Sequence, residues 1–404
     1  MADQFGAVRV TDRVYWVGAI DWAIRNFHGY ATSRGTTYNA FLVLADKVTL
    51  IDTVKAPFRR ELMARIASVI DPRRIEYVVS NHSEMDHSGC LPEVAAAVGA
   101  EKVFASRHGA AALKEHFGEA LEIEAVEDGQ ELDLGNEALR FFETRMCHWP
   151  DSMVSYLAGD ELLFSQDAFG MHLASSERFD DELPDWVLDG ELAKYYANIL
   201  MPLAAPVRKA VDKLTGSGLR FRLVAPDHGP IWRKRFGDVL DCYARWSAGR
   251  RTNKAVVAYD TMWQSTDLMA RAIGDGLAAE GSAVQLMPLS ACHRSDVATE
   301  LLDTGALLVG SPTINNTMFP TVADVLCYLR GLKPRGLIGA AFGSFGWSGE
   351  SVKHVAAALE EMGVEQVGQP VRVKYVPTAA DLEACRQLGR EVAWKLKELY
   401  PPVE

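Results

Sequence analysis

Four side chains able to bind a metal stand within six residues in His82-Ser83-Glu84-Met85-Asp86-His87, directly after the β-branched run Ile75-Glu-Tyr-Val-Val-Ser80. A strand that runs into irregular backbone can turn several side chains toward one point. A lone His-x-x-x-His, or a charged loop, more often faces solvent than a metal. Two imidazoles interleaved with two hard carboxylates form a more specific pattern, suited to a transition metal. Three more candidates occupy similar strand-to-loop junctions: His148 in Thr144-Arg-Met-Cys-His-Trp-Pro-Asp-Ser, Asp167 in Leu162-Leu-Phe-Ser-Gln-Asp-Ala-Phe-Gly, and His228 in Leu223-Val-Ala-Pro-Asp-His-Gly-Pro. Singly, each is an ordinary loop residue more often than a ligand. With the first motif they weigh toward a metal site.

A second constellation lies toward the C-terminus. The stretch Ala255-Val-Val-Ala-Tyr-Asp-Thr261-Met262-Trp263-Gln264-Ser265-Thr266 reads as a buried strand, a hydroxyl-rich loop and a helix start. Backbone N–H groups and the positive end of the helix dipole would meet a phosphate there, helped by the Thr261, Ser265 and Thr266 hydroxyls. The plain alternative is a run of N-cap hydroxyls. No Gly-x-x-x-x-Gly-Lys-Ser/Thr is present, which disfavours a P-loop. Two further loops follow apolar runs: Ser311-Pro312-Thr313-Ile314-Asn315-Asn316, and Gly343-Ser344-Phe345-Gly346-Trp347-Ser348-Gly349. In open α/β sheets the ligand sits beyond the carboxyl ends of the strands, where these three loops would lie. The glycines permit close backbone approach, and Trp347 offers an aromatic face.

Two different patterns must position these groups. Up to about Gly249, short apolar runs such as Tyr38–Leu44 and Val48–Asp52 alternate with helical stretches such as Phe58–Ile70, the signature of layered α/β structure. The polar segment Ser247–Lys254 then interrupts the pattern as a boundary loop. Beyond it the rhythm is regular: strand Ala255–Tyr259, helix Asp267–Glu280, strands Ala283–Pro288 and Ala306–Gly310, helix Thr321–Gly331, strand Gly336–Phe342, helix Ser351–Met362 and a last helix near Ala380–Leu399. That order predicts a doubly wound parallel sheet of flavodoxin size. With 404 residues in all, two or three domains are expected, divided here into 1–250 and 251–404.

Composition narrows the partners. A formal net charge of -12 and the lack of a basic run exclude a phosphate backbone as a natural ligand. No segment approaches the roughly 20 apolar residues that span a bilayer, and the first residues lack a basic-then-apolar leader, so a cytoplasmic protein is expected. The six cysteines are scattered without a Cys-x-x-Cys pair. They read as reduced thiols, and the sequence holds no iron-sulfur relay.

The N-terminal motifs resemble the metallo-β-lactamase superfamily, in which His-x-His-x-Asp-His and later His, Asp and His residues build a two-metal site. Glu84 stands where the zinc hydrolases of that superfamily have histidine, and the His-x-Glu-x-Asp-His form resembles the flavodiiron proteins. Exchanging an imidazole for a carboxylate adds negative charge and a hard oxygen, which favours iron over zinc. The three C-terminal loops are similar to those of flavodoxins, which bind FMN. The likeness extends to Gly18-Ala-Ile-Asp-Trp22, His28-Gly-Tyr30 and Glu191–Ile199, and follows the two-domain, rubredoxin:oxygen oxidoreductase-like layout.

The resemblance implies a metallo-β-lactamase-like αβ/βα sandwich followed by a flavodoxin-like domain. It implies two non-haem irons, one held by His82, Glu84 and His148 and the other by Asp86, His87 and His228, with Asp167 bridging; in some relatives the counterpart of His87 is displaced by water. FMN would be held by the three loops, and Tyr195 (or Tyr196, near the metals) and Trp347 are the candidate catalytic side chains. The implied activity is reduction of O2 to water, of NO to N2O, or both. With neither a cysteine cluster nor a dinucleotide-binding Gly-x-Gly-x-x-Gly unit, an external donor such as rubredoxin is expected, and a head-to-tail homodimer or dimer of dimers. A dinuclear zinc hydrolase with an accessory flavodoxin domain is the alternative reading.

Overall fold

The computed structural model describes residues 5–401. The chain divides into two compact units. The first takes the chain up to His28 together with Thr32–Tyr195 and Ala205–Ala244; the second takes Gly29–Ala31, Tyr196–Ala204 and everything from Arg245 onward.

In the first unit, two sheets face each other as an αβ/βα sandwich. One has seven strands in the order Val8–Arg9, Val14–Trp16, Phe41–Val43, Thr49–Ile51, Tyr77–Ser80, Lys102–Ser106 and Ile123–Val126, antiparallel as far as Thr49–Ile51 and parallel from there. The other runs Glu131–Asp133, Ala138–Glu143, Met153–Leu157, Leu162–Gln166 and Leu223–Pro226, with only the last pair parallel. The two-residue period of a strand sorts its side chains between layers. Phe41, Val43, Ile51, Val79 and Phe104 point into the core shared with Phe141, Phe164 and Ala225 of the facing sheet. Their alternates Leu42, Leu50, Val78 and Val103 pack outward against Leu62 and Ile66 of helix Arg59–Ala67 and Val94 of helix Leu91–Val98. Because both faces of these strands are covered, the sequence shows unbroken apolar runs rather than alternation. The run expected from Tyr38 to Leu44 is broken in the structure into Thr36–Tyr38 and Phe41–Val43.

The second unit carries one parallel sheet in the order Ala283–Pro288, Thr252–Tyr259, Thr304–Gly310, Ile338–Phe345, with Glu365–Gln366 and Val371–Lys374 both paired to the last. This is the flavodoxin-type order 2-1-3-4-5. One face packs on helices Arg294–Glu300, Pro320–Leu332 and Ser351–Glu361, the other on Ser265–Ala279 and Ala379–Leu399. Gly343, Ser344 and Phe345, expected in a loop, are the last three residues of their strand. Tyr328 donates to Asn198 Oδ1 at 2.7 Å and Asn198 Nδ2 to the Ser295 carbonyl at 3.1 Å, which ties Tyr196–Ala204 into this unit.

Helices Ser265–Ala279 and Ala379–Leu399 cross at two glycines. A Cβ on Gly276 would stand 2.1 Å from the Arg386 carbonyl oxygen, and one on Gly389 2.2 Å from that of Ile273. Both obstacles are backbone, so neither can swing aside. An exposed helical glycine replaced by alanine gains up to about 1 kcal/mol, whereas overpacking costs about 1–3 kcal/mol or more. Gly389→Ala is therefore expected to lower the denaturation midpoint, while Gly331→Ala, where a Cβ meets nothing within 4 Å, leaves it unchanged or raises it; equal effects of the two in chemical denaturation contradict the packing account.

Candidate metal centre and flavin loops

Each metal-binding candidate of the first unit stands at or just beyond the end of a strand. His82 follows Tyr77–Ser80, Glu84 caps the short helix Met85–Ser88 that carries Asp86 and His87, Asp167 follows Leu162–Gln166, and His228 follows Leu223–Pro226. His148 comes from the loop between Ala138–Glu143 and Met153–Leu157. Gln166 joins two of these loops: its side-chain oxygen accepts from Asp167 N at 2.6 Å and its amide donates to the Cys147 carbonyl.

All seven candidates converge, in two sets. His82, Glu84, His148 and Asp167 have ligand atoms within 4.8 Å of one another, as do Asp86, His87 and His228. Asp167 faces both. Its Oδ2 is 3.3 Å from His82 Nε2 and 3.0 Å from His148 Nε2, and its Oδ1 is 3.4 Å from both His87 Nε2 and His228 Nε2. Glu84 Oε2 closes the first set at 3.3 and 3.2 Å from the two imidazoles, and Asp86 Oδ2 the second at 3.3 and 3.2 Å.

The electrostatics describe an anionic socket. Burial opposes charge on every group, but the adjacent imidazoles outweigh it and hold Glu84 and Asp86 down to about 2 and Asp167 well below the ordinary carboxylate range. In turn, the carboxylates overcome burial at His87, raising it to about 10, and push His82 well above its usual value. The carboxylates thus remain ionised and call for cations between them.

Supporting residues lie behind the imidazoles. Asp151 Oδ2 stands 3.1 Å from His82 Nδ1 and accepts from Ser83 N at 2.7 Å, while His228 Nδ1 faces the Thr37 carbonyl at 2.6 Å. Asp227 Oδ2 stands 3.6 Å from His87 Nδ1. Sequence reasoning passed over Asp151 and Asp227, although each lies in a segment already marked by a histidine. A cavity of about 690 Å³, lined among others by Phe27, Lys55, Met85 and Trp149, opens onto Glu84 and Asp86. Tyr195 is buried with its ring 6.2 Å from that of His228 and 5.1 Å from that of His172. Tyr196 belongs to the other unit and packs on Trp246.

In the second unit the three expected loops do stand at strand ends. Thr261–Gln264 precede helix Ser265–Ala279; Gln264 takes a left-handed φ of 65°, and among the described residues the buried Thr261 Oγ1 has no hydrogen-bond partner. Ser265 and Thr266 are buried, and Thr266 Oγ1 lies 2.9 Å from Ser344 Oγ. Ser311 uses its hydroxyl within its own loop, donating to the Pro312 carbonyl and accepting from Phe319 N, both at 2.8 Å. Thr313 donates to Ser351 Oγ at 2.8 Å, Ile314 lies in a two-residue strand, and Asn315 and Asn316 form a left-handed pair. Met262, Trp263 and Trp347 are exposed, the tryptophans to 89% and 87%. A fourth strand end went unforeseen: Tyr375, after Val371–Lys374, is 61% exposed and approaches Gly346.

Residues 36–229 match the model of the ODP family beta lactamase, and residues 257–389 that of flavodoxin. A rubredoxin-oxygen oxidoreductase of Megalodesulfovibrio gigas is 46% identical over 97% of this chain and 98% of its own. A nitric oxide reductase of Moorella thermoacetica is 44% identical over 97% and 99%. The crystal structure of the flavodiiron protein from Giardia intestinalis superposes with a TM-score of 0.93 at 32% identity, covering 98% of each chain. The chain belongs to the flavodiiron proteins.

The cofactors of a flavodiiron protein are FMN, in the flavodoxin domain, and a di-iron centre in the lactamase-like domain, and this chain fits both. Donors each about 2.1 Å from one ion stand about 3.0–3.4 Å from each other at right or tetrahedral angles, the spacing observed in both sets. Among the described residues, Asp86 Oδ1, Asp167 Oδ1 and His87 Nε2 are buried without a well-aligned hydrogen bond, a costly state that bound ions would relieve. The unpartnered Thr261 hydroxyl at a helix start suits a phosphate in the same way. Glu84→His removes one anionic oxygen from the first set, so the variant is expected to purify with less iron and more zinc at unchanged FMN. Gas reduction should fall by about an order of magnitude or more, because zinc supplies no electrons. Wild-type iron content and activity in that variant contradict the assignment.

Proposed function

We propose that this protein reduces O2 to water, NO to N2O, or both, at a di-iron centre fed through FMN by an external donor such as rubredoxin. The observation that carries the reading is Asp167, whose two oxygens face two separate donor sets. His82, Glu84 and His148 would hold one iron, Asp86, His87 and His228 the other, and Asp167 would bridge. Residues 1–250 would form the di-iron domain and 251–404 the FMN domain. A di-iron pair held there would supply electrons for the reduction of a small diatomic gas.

The chain's own side chains prepare that chemistry. The carboxylates of Glu84, Asp86 and Asp167, all ionised, would offset half or more of the positive charge of two bound irons. The cavity above Glu84 and Asp86, walled by Phe27, Lys55, Met85 and Trp149, gives a small molecule a way to the donor sets. Tyr195, whose burial, with Asp167 second, raises its pKa well above the usual value, keeps its phenol proton and could donate it as a hydrogen bond. On the flavin side, Thr261, Ser265 and Thr266 would take the phosphate. Met262, Trp263, Gln264, Ser311–Asn316, Ser344–Trp347 and Gly349 would enclose the ring, with Trp347 against it.

Exposed Trp263, Trp347 and Tyr375 around those loops support a head-to-tail homodimer or a dimer of dimers that covers them. All six cysteines are free thiols, which supports a cytoplasmic location; among the described residues no helix is long and apolar enough to cross a membrane. The zinc-hydrolase alternative is disfavoured by Glu84. NADH alone is expected to drive no turnover, whereas reduced rubredoxin drives rapid gas consumption. Fast O2 uptake from NADH with this chain as the only protein contradicts the proposal.

A further inference from the structure

Asp227 is fully buried, and among the described residues neither of its carboxylate oxygens has a hydrogen-bond partner. Its backbone is fixed on both sides: its N–H donates to the Gln166 carbonyl at 2.9 Å and its own carbonyl accepts from Asn39 N at 2.7 Å. The side chain is thereby aimed at His87, whose Nδ1 lies 3.6 Å from Oδ2 and is itself buried without a hydrogen bond. Two unsatisfied buried polar atoms facing each other at that distance need only a few tenths of an ångström to pair, and both are unfavourable while unpaired. The neighbouring buried carboxylate, Asp52, is not an alternative partner for His87. Its two oxygens are occupied by Asn81 N and Nδ2 at 2.7 and 2.8 Å.

The geometry points to Asp227 as a positioning residue: it holds the His87 ring by Nδ1 so that Nε2 stays on the line between Asp86 and Asp167, in a coordination position that solvent would otherwise take. Two of the other three imidazoles are braced in the same sense, His82 by Asp151 and His228 by the Thr37 carbonyl. Metal-bound histidine characteristically donates its second ring N–H to such an acceptor. His87 differs in having the longest contact and a carboxylate with no other hydrogen bond, so its orientation depends on this one residue. The inference rests on the reading of Asp86, His87 and His228 as the ligands of one iron.

The test is a chelator challenge on the holoprotein, comparing wild type, Asp227→Ala and Asp227→Asn. Iron retained per chain is measured against rising concentrations of a ferrous chelator, with the EPR signal of the half-reduced, spin-coupled pair and the FMN content read on the same samples. Wild type is expected to release both irons together. Asp227→Ala should release one of them at about 10–100-fold lower chelator concentration, losing the coupled signal while FMN stays in place. Asp227→Asn, whose amide oxygen can still accept from Nδ1, should fall between the two. Wild-type retention and an unaltered signal in both variants overturn the inference, as does parallel loss of both irons at full FMN content. A wild-type chain that holds no iron at all removes the di-iron reading itself, and is distinguished from those outcomes by the first measurement.

Discussion

One carboxylate organises the metal-binding unit. Asp167 is buried to 2% exposure; its Oδ2 stands among the first set of donors, and its Oδ1 faces His87 and His228 of the second. An isolated carboxylate in such a place would be strongly disfavoured. It is held in its ionised form by four imidazole nitrogens between 3.0 and 3.4 Å away, and with metals present by their charge instead. The sandwich must therefore deliver four histidines and two further carboxylates from separate loops to within a few ångströms. It does so because the strands that carry most of them end on the same side of the two sheets.

The requirement explains features that propensity alone does not. Gln166, the last residue of its strand, takes a left-handed φ of 47°, a conformation that non-glycine residues reach only when surrounding contacts enforce it. Its amide supplies those contacts by binding Asp167 N and the Cys147 carbonyl, so the Asp167 and His148 loops are set by one side chain. Asp52, also left-handed with φ 57°, clamps Asn81 directly ahead of His82. The outer layer around the metals is thus made of backbone strain and buried amides. Such hydrogen-bonded supports orient the ligands from behind.

Much of this was legible in the sequence because the chemistry is local. His82, Glu84, Asp86 and His87 lie within six residues, and His148, Asp167 and His228 each stand at a strand-to-loop junction of the kind that presents ligands. The doubly wound unit was legible for the same reason: fully buried parallel strands such as Ala306–Gly310 leave continuous apolar runs. The supporting residues were not, since Asp151 and Asp227 are acids beside histidines, and only the fold reveals that they face a different histidine from their neighbour. Tyr375 escaped because Val371-Arg-Val-Lys374 is short and half exposed, and helix Arg294–Glu300 because its sequence is polar. That Gly29–Ala31 and Tyr196–Ala204 belong with the second unit depends on single contacts such as Tyr328 with Asn198, which leave no periodic trace.

The most direct test of the account is anomalous diffraction from crystals of the purified protein, collected on both sides of the iron absorption edge. Two anomalous peaks are expected, one between Asp167 Oδ2 and the His82, Glu84 and His148 side chains, the other between Asp167 Oδ1 and Asp86, His87 and His228. Both should vanish below the edge. A single peak, or two that persist below the iron edge and respond at the zinc edge, would contradict it.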